Sequence, residues 1–261
     1  MKRGLTIFRR ETLSYFVSPV AYFVITGFVM LAAYFFFRFL QQYNFYVVMA
    51  SRSPYGAPDI ANLNQAVVEG FFHTLLIILV FLVPFITMRS FAEEKRRGTF
   101  ELLVTSPISV FEIVIGKFLG VALVLFFMIA LASAYPVLLW CFGDPGPELL
   151  PVLGGALGLY LCALGFAAIG LAISAMTENQ VVAGVLGMVV LLLLYAAYSP
   201  AEPGAGGQLT VATVLNYLSP VQQVADMFKG VISLKSVVYF LSLIATGLFL
   251  SQRALEAYRW R

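Results

Sequence analysis

Six long apolar segments constrain the fold of this chain more than any other feature. They lie at about 19–38, 71–88, 112–141, 151–175, 180–198 and 232–252. A helix needs about 20 mainly apolar residues to cross the hydrocarbon core of a bilayer. Backbone groups must be paired inside lipid, and the alternating pattern of a β-barrel is missing from the sequence, so helices are expected. The sequence therefore predicts an all-α, polytopic membrane protein with six transmembrane helices.

Composition agrees with a chain that is solvated mainly by lipid. Of the 261 residues, 61% are hydrophobic and 11% are charged, whereas soluble domains carry about 25% charged residues. This length fits a single membrane domain over 1–261. The sequence shows no basic run interleaved with aromatics, so nucleic acid is not an expected partner. Cys141 and Cys162 lack CxxC spacing and are predicted to be buried structural thiols.

The distribution of lysine and arginine predicts the orientation, because these residues are enriched in cytoplasmic loops. With the N-terminus placed inside, 12 of the 16 fall on the inner side. The four on the outer side are Arg38, Arg52, Lys229 and Lys235. Both termini are therefore predicted to face the cytoplasm.

Residues 2–17 are predicted to form an amphipathic helix along the inner leaflet. At 100° per residue the apolar face holds Leu5, Phe8, Thr12, Leu13, Tyr15 and Phe16. The opposite face holds Arg3, Arg10, Glu11 and Ser14. The alternative is a frayed tail with a few charges close to the membrane.

Helix starts are marked by capping residues. Ser109 with Glu112, and Thr177 with Gln180, are predicted capping boxes before the third and fifth spans. A very tight turn around residues 177–179 should therefore join the fourth and fifth spans.

The loop 199–231 on the outer side opens with SPAEPGAGG, a turn-rich stretch that is incompatible with a helix. Two apolar pieces follow at 209–218 and 220–229, each too short to span. Ser219 and Pro220 are predicted as the cap and first residue of the second piece, with Gly230 as its C-terminal cap. A re-entrant or interfacial helical hairpin is the prediction; an ordered loop resting on the bundle is the alternative.

Residues 89–107, between the second and third spans, carry an unusual density of charge. Glu93 and Arg97 are four residues apart, in the order that favours a helical ion pair. Gly98 interrupts the helix, and the apolar residues in 99–103 resume it. This pattern indicates a helix–break–helix presented to a cytosolic protein. The alternative is a solvated charge run that only anchors the loop inside.

Small and aromatic side chains mark two further surfaces. The fourth span carries the small residues Gly154, Gly158, Ala163, Ala167 and Gly170. They predict close helix packing inside the subunit, with a dimer face as the alternative. An aromatic run closes the first span; it is Tyr34, Phe35, Phe36, Phe37 and Phe39. It fits an interfacial belt or a lining for a lipid-like substrate.

The sequence also limits the chemistry. It contains no G-x-x-x-x-G-K-[ST] motif, so ATP chemistry is expected on another polypeptide. Ionisable residues inside the spans are scarce, which disfavours an ion-coupled carrier. His73 is the only histidine and lies four residues after Glu69, so a structural role with a hydrogen bond between the two is predicted. A catalytic set is not found, so we expect neither an enzyme nor a cofactor.

The segment MRSFAEEKRRGTFELLVTSPIS, residues 88–109, resembles the signature of ABC-2 type transporter permeases. That signature is an E-K/R-x-x-G-T-x-E-x-L-x-x-[ST]-P run after the second span. The tail NYLSPVQQVADMFKGVISLKSVVYFLSLIATGLFLSQRALEAYRWR is similar to the end of the same family. Within it, the GldF-like permeases associated with gliding motility are the most similar subgroup.

This resemblance implies a type V exporter-like fold and a permease subunit in the bacterial inner membrane. Two permease subunits, identical or different, would pair above two cytosolic ATPase subunits that hold ATP and magnesium. The implied ATPase-coupling residues are Glu93, Glu94, Arg96, Arg97, Gly98, Thr99 and Glu101. The implied interface-helix residues are Arg3, Phe8, Arg10 and Phe16. The implied outer re-entrant segment includes Ser219, Pro220 and Gly230.

Export is the direction that the resemblance implies. A gliding-motility or secretion machine without a diffusible substrate competes with that function. It would be favoured by a further membrane subunit with a large outer domain. A membrane enzyme acting on lipids and an ion-coupled carrier are two more functions that compete with export.

Overall fold

The computed structural model describes residues 11–13, 17, 19–52, 62–98, 109–143, 146–198 and 216–259. Every regular element in these residues is a helix. In chain order they are α1 (Pro19–Arg52), a π-helix (Asn64–Glu69), α2 (Gly70–Thr87), α3 (Ala92–Arg96), α4 (Val110–Phe142), α5 (Leu149–Met176), α6 (Gln180–Ala196), α7 (Pro220–Phe228) and α8 (Leu234–Arg259). The π-helix runs directly into α2. The all-α prediction is confirmed.

Five stretches are long and apolar enough to cross a membrane by length and composition. They contain α1, α2, α4, α5 and α8. The sixth predicted span, α6, is an apolar helix of 17 residues. At 1.5 Å per residue it is about 25 Å long, at the lower limit for spanning a hydrocarbon core of about 30 Å.

The path of the chain places α6 across the same layer as the other spans. Gly184 packs against Met88, and Gly187 packs against Pro84 one turn earlier in α2, so α6 runs antiparallel to α2. At one end of the bundle α3 meets Tyr258 of α8, while Lys117 meets Glu11. We call this the termini end, and the opposite end, which carries α7, the loop end. Because Glu11 and Tyr258 lie at the same end, the chain between them crosses an even number of times, which agrees with six.

The helix of the first span continues past residue 38, where the sequence predicts that the span ends. Helix α1 continues to Arg52 and contains 34 residues, which makes it about 50 Å long. Arg38 and the polar residues after it suggested a boundary, but neither glycine nor proline follows Gly27 until Pro54. Because proline disfavours helical geometry in the residue before it, a helix end close to Pro54 is the physical expectation.

One of the two predicted capping boxes is confirmed. Ser109 Oγ accepts from the Glu112 N–H at 3.2 Å, and Glu112 Oε2 accepts from the Ser109 N–H at 3.3 Å. The box at Thr177 is wrong. Asn179 caps α6 instead, since its Oδ1 accepts from the Val181 N–H at 2.9 Å. The Thr177 hydroxyl bonds to the backbone of Asn179 at 3.0 Å and is therefore engaged before α6 begins.

Helix α5 is the central helix of the bundle. It packs against the π-helix, α2, α3, α4, α6, α7 and α8. Its glycines allow this close approach, because a methyl group at Gly155 would overlap the ring of Phe72 and one at Gly170 would overlap Thr87. Ala163 and Ala167 are fully buried. The prediction of tight packing within the subunit is confirmed, and these small faces are occupied inside the chain.

The prediction of two buried thiols is half right, and the aromatic run of α1 is only partly buried. Cys162 is buried as predicted, but Cys141 is exposed. It lies in the last turn of α4, one residue before Phe142, where the bundle no longer covers it. The aromatic run of α1 contains both packed and exposed rings. Phe36 packs edge-on against the core ring of Phe71, with centroids 5.2 Å apart, whereas Phe37 is 59% exposed.

Candidate coupling site at the termini end

The short helix α3 is fixed to the bundle by a cap that comes from another helix. Phe91, at its N-cap position, has no side-chain acceptor. Ser174 of α5 supplies the missing acceptor. Its Oγ accepts hydrogen bonds from the N–H groups of Phe91 and Ala92 at 3.1 and 3.2 Å. The same hydroxyl donates to the Met88 carbonyl at 3.1 Å. Because Ser174 is fully buried, losing this hydroxyl would strand two buried donors. The start of α3 is thus held against α5.

The end of α3 is held by Lys95. This side chain is buried, and its Nζ donates to the Ala175 carbonyl near the C-terminus of α5. A lysine at that position satisfies a carbonyl that the helix itself leaves unpaired. Nζ also lies 4.3 Å from the ring centroid of Tyr258 in α8, a distance suited to a cation–π contact. Lys95 therefore links α3 to both α5 and α8.

A buried lysine connects three separate parts of the chain at this end. Lys117, in the second turn of α4, is 3% exposed. Its Nζ lies 2.9 Å from Glu11 Oε1 and 2.8 Å from Glu94 Oε1. We call these three side chains the Lys117 cluster. Removing one partner of a buried ion pair leaves an uncompensated charge, so the cluster holds α3, α4 and the residues around Glu11 in one arrangement.

The sequence interpretation placed Lys117 on the inner side but did not predict its partners. Glu94 is 23 residues away and Glu11 is 106 residues away, so no helical spacing joins them. One signal was present: a lysine inside an apolar span is costly unless it is paired with an acid. A search for an acid to balance Lys117 would have pointed to the charged segment before α4.

The other charges of α3 face outward. Glu93 and Arg97 form the predicted pair, with Oε1 and NH2 2.6 Å apart. Arg96 and Arg97 are exposed, and Glu93 is partly exposed. Gly98 ends the helix with φ of 68°, a conformation that glycine adopts without strain, so the predicted break is confirmed. Inward Glu94 and Lys95 thus hold α3 in place while Glu93, Arg96 and Arg97 form its outer edge.

Several predicted site residues lie outside the described residues. They are Thr99 and Glu101 of the coupling segment, and Arg3, Phe8, Arg10 and Phe16 of the interface helix. Within 2–17 the structure describes 11–13 and 17, and all four residues are helical. Glu11, assigned by the sequence to the charged face, is the residue that reaches Lys117.

At the loop end, α7 has the boundaries that the sequence predicts for its second apolar piece. Pro220 is the first residue and Ser219 the N-cap position. The predicted role of the Ser219 side chain is wrong, because it is fully buried and its Oγ makes no hydrogen bond within the described residues. Gly230, with φ of 87°, closes a Schellman motif in which Val231 N–H donates to the Asp226 carbonyl at 3.0 Å.

The partner piece of the predicted hairpin is described only over 216–218, which is helical. Helix α7 itself packs on α5, where Gly154 and Gly158 approach Met227. Its nine residues are too few to span. It therefore covers the loop end of the central helix.

The predicted hydrogen bond between His73 and Glu69 is not formed. Nε2 and Oε1 are 3.9 Å apart, beyond hydrogen-bond distance. The imidazole instead packs edge-on against Phe228 of α7, with centroids 4.9 Å apart. This contact gives His73 a structural role in seating α7.

Comparison with known proteins bears on most of the bundle, but not on α1 before residue 50. A family model described as ABC-2 family transporter protein matches residues 50–251, about three quarters of the chain. The match includes α3, Lys117, the central helix α5 and α7. A search of curated proteins returned no match.

Proposed function

The chain belongs to the ABC-2 transporter family and is a permease subunit of an ABC transporter, and we propose that a separate cytosolic ATPase drives it through α3. The subunit works as a dimer with a second permease chain and exports its substrate across the bacterial inner membrane. ATP and magnesium reside on the ATPase. The sequence itself contains no P-loop to bind them.

The observation that carries this proposal is the two-sided character of α3. Its inner side is tied to α5 by Ser174, to α8 by Lys95 and to α4 by Glu94. Its outer edge presents Glu93, Arg96 and Arg97. A partner that displaces this edge also displaces the spans, because α3 is bonded to three of them. An anchor that only fixes orientation requires positive charge, not a clamped helix.

Charge and geometry together support the proposed orientation. The 12-to-4 distribution of lysine and arginine favours a cytoplasmic termini end. Glu11, Tyr258 and α3 lie at that same end. The outer edge of α3 thus faces the compartment that contains ATP.

The N-terminal helix is the second part of the proposed coupling surface. Glu11 shares Lys117 with Glu94, so a displacement of the N-terminal helix alters the same ion pairs as a displacement of α3. ATP-driven closure of the ATPase pair shifts both elements. Helix α5 passes that shift to the rest of the bundle, because it packs against most of the other described elements.

The dimer partner is proposed to pack near α1. Only 11% of the most apolar window of this helix is buried within the subunit. Its large exposed side chains include Phe23, Met30, Tyr34 and Phe37. A second permease chain, with lipid around it, would cover this face.

A narrower form of the proposal places the chain among GldF-like subunits of a gliding or secretion machine. It rests on the resemblance of the sequence as a whole to that subgroup. It predicts an additional membrane subunit with a large outer domain in the purified complex.

Substitutions on the outer edge of α3 test the coupling proposal. Glu93→Arg removes the pair with Arg97 and leaves Glu94 as the one acid among the cations of residues 93–97. Gly98→Pro is incompatible with φ of 68° and removes the N–H that donates to Lys95 O at 3.1 Å. We expect each change to reduce the ATPase recovered with the affinity-tagged permease at least about tenfold, because Glu93→Arg reverses a charge at the proposed contact and Gly98→Pro distorts the end of α3.

The matched control is Arg253→Gln on α8. It breaks the exposed pair with Glu256, at 3.1 Å, without altering α3. We expect it to recover the ATPase at the wild-type level. If Glu93→Arg and Gly98→Pro leave both association and ATP hydrolysis unchanged, α3 is not the coupling element.

A further inference from the structure

We propose that the loop end contains a binding site for the phosphate headgroup of a membrane phospholipid. The site is a cavity of about 410 Å³ between α7 and the first turns of α8. Its lining includes Tyr217, Gln223, Leu234, Lys235 and Val238. It lies at the opposite end from α3, so the proposal does not depend on coupling to an ATPase.

The charge of the cavity favours an anionic group. Lys235 is the one charged residue in its lining, which contains no carboxylate among the described residues. Its Nζ forms no ion pair with a described residue and lies 4.4 Å from the ring centroid of Tyr217. The aromatic ring thus fixes the ammonium group at the cavity, where a phosphate diester would give it a charge-assisted partner.

A neighbouring cavity gives a useful contrast. It has a volume of about 390 Å³, and its lining includes Lys229 together with Glu69 and Glu148. The cation there already faces two carboxylates, so an additional anion would be repelled by them. The two cavities share one end of the bundle and differ in the sign of their net charge.

Three other polar side chains of the Lys235 cavity are already engaged. Tyr239 OH donates to the Leu218 carbonyl at 2.6 Å, and Gln223 Nε2 donates to the Tyr217 carbonyl at 3.1 Å. Ser242 Oγ donates to the Tyr239 carbonyl at 2.7 Å within α8. These bonds fix one wall of the cavity and leave the Lys235 ammonium as its charged group that can bind a ligand.

The apolar rim points to a lipid as the source of the phosphate. Leu234 is 78% exposed, and Val238 and Tyr217 are each 56% exposed. Lys235 is the second residue of the spanning helix α8, at the depth where headgroups meet acyl chains. A phospholipid places its phosphate near Lys235 and its chains along Leu234 and Val238. An inorganic phosphate would make no favourable contact with these apolar side chains. A lysine that only extends its ammonium group into water would not need to lie at a cavity.

Native mass spectrometry of the detergent-solubilised protein tests this site. Phosphatidylglycerol and phosphatidylcholine are titrated separately, and the dissociation constant of the first bound lipid is measured. In phosphatidylcholine the choline cation offsets the phosphate. We therefore expect phosphatidylglycerol to bind the wild type about fivefold more tightly, as one lysine near an anionic lipid predicts.

Variants assign that preference to one side chain. Lys235→Gln is expected to abolish it, whereas Lys235→Arg and the matched control Lys229→Gln should retain it. Equal preference in Lys235→Gln and the wild type would overturn the proposal. Displacement of phosphatidylglycerol by millimolar inorganic phosphate would also overturn it, because the site would then bind aqueous anions.

Discussion

Replacing Lys117 with methionine is expected to lower the free energy of unfolding by about 3–5 kcal/mol, since it leaves two acids without their buried cation. Glu11 and Glu94 lie 2.9 and 2.8 Å from Nζ and are largely buried themselves. Methionine preserves the apolar volume but not the charge. Thermal unfolding of the purified subunit in detergent should show a large drop in midpoint.

Two further variants separate charge from packing. Adding Glu11→Gln and Glu94→Gln to Lys117→Met should recover part of the lost stability, because no uncompensated charge remains. Arg253→Met breaks an exposed pair at the same end of the bundle and should cost less than about 1 kcal/mol. Equal effects of Lys117→Met and Arg253→Met would mean that the Lys117 cluster does not hold this end together.

Gly170→Ala is expected to destabilise the bundle by about 2–3 kcal/mol through overpacking. A methyl group at this position on α5 would overlap Thr87 Oγ1, so α2 and α5 would have to separate. The same midpoint measurement, together with the yield of monodisperse protein, detects the change.

A second substitution should relieve this overlap. Thr87→Ala removes Oγ1, after which the nearest atom to the added methyl group is the residue 87 Cβ at 3.0 Å. The double variant should therefore be more stable than Gly170→Ala alone. Gly27→Ala on α1 is the control, since no atom of the described residues lies within 4 Å of the added carbon and alanine favours a helix. No recovery in the double variant would contradict the predicted contact.

The sequence predicted several features that local patterning determines. Apolar length predicted the spans, and the Ser109–Glu112 box and the break at Gly98 were read from short motifs. The small residues of α5 indicated close packing, because small side chains are the main means of bringing helices together in lipid.

The remaining features depend on contacts between distant parts of the chain. Ser174 caps a helix that begins 82 residues earlier, and no local pattern marks a serine inside a span as a cap. Lys117 had a sequence signal, but its partners are fixed only by the fold. The role of Asn179 was missed because Thr177 offered an equally good capping motif in the sequence. In the structure the Thr177 hydroxyl bonds to the backbone of Asn179, and the Asn179 side chain caps α6.

The two ends of the bundle differ in the kind of contact that holds them. The termini end is organised by buried cations, Lys95 and Lys117, which tie α3 to three spans. The loop end is organised by apolar packing of α7 and by a turn at Gly230. The residues proposed to contact the ATPase therefore lie at the end of the bundle that buried cations organise.

Site-specific photo-cross-linking in membranes that contain the intact complex tests the central claim most directly. A benzoylphenylalanine is placed at residue 96, on the outer edge of α3, or at residue 229, at the loop end. The account predicts a covalent product with the cytosolic ATPase from position 96 and none from position 229. A product from position 229, or an intact complex without a product from position 96, would contradict it.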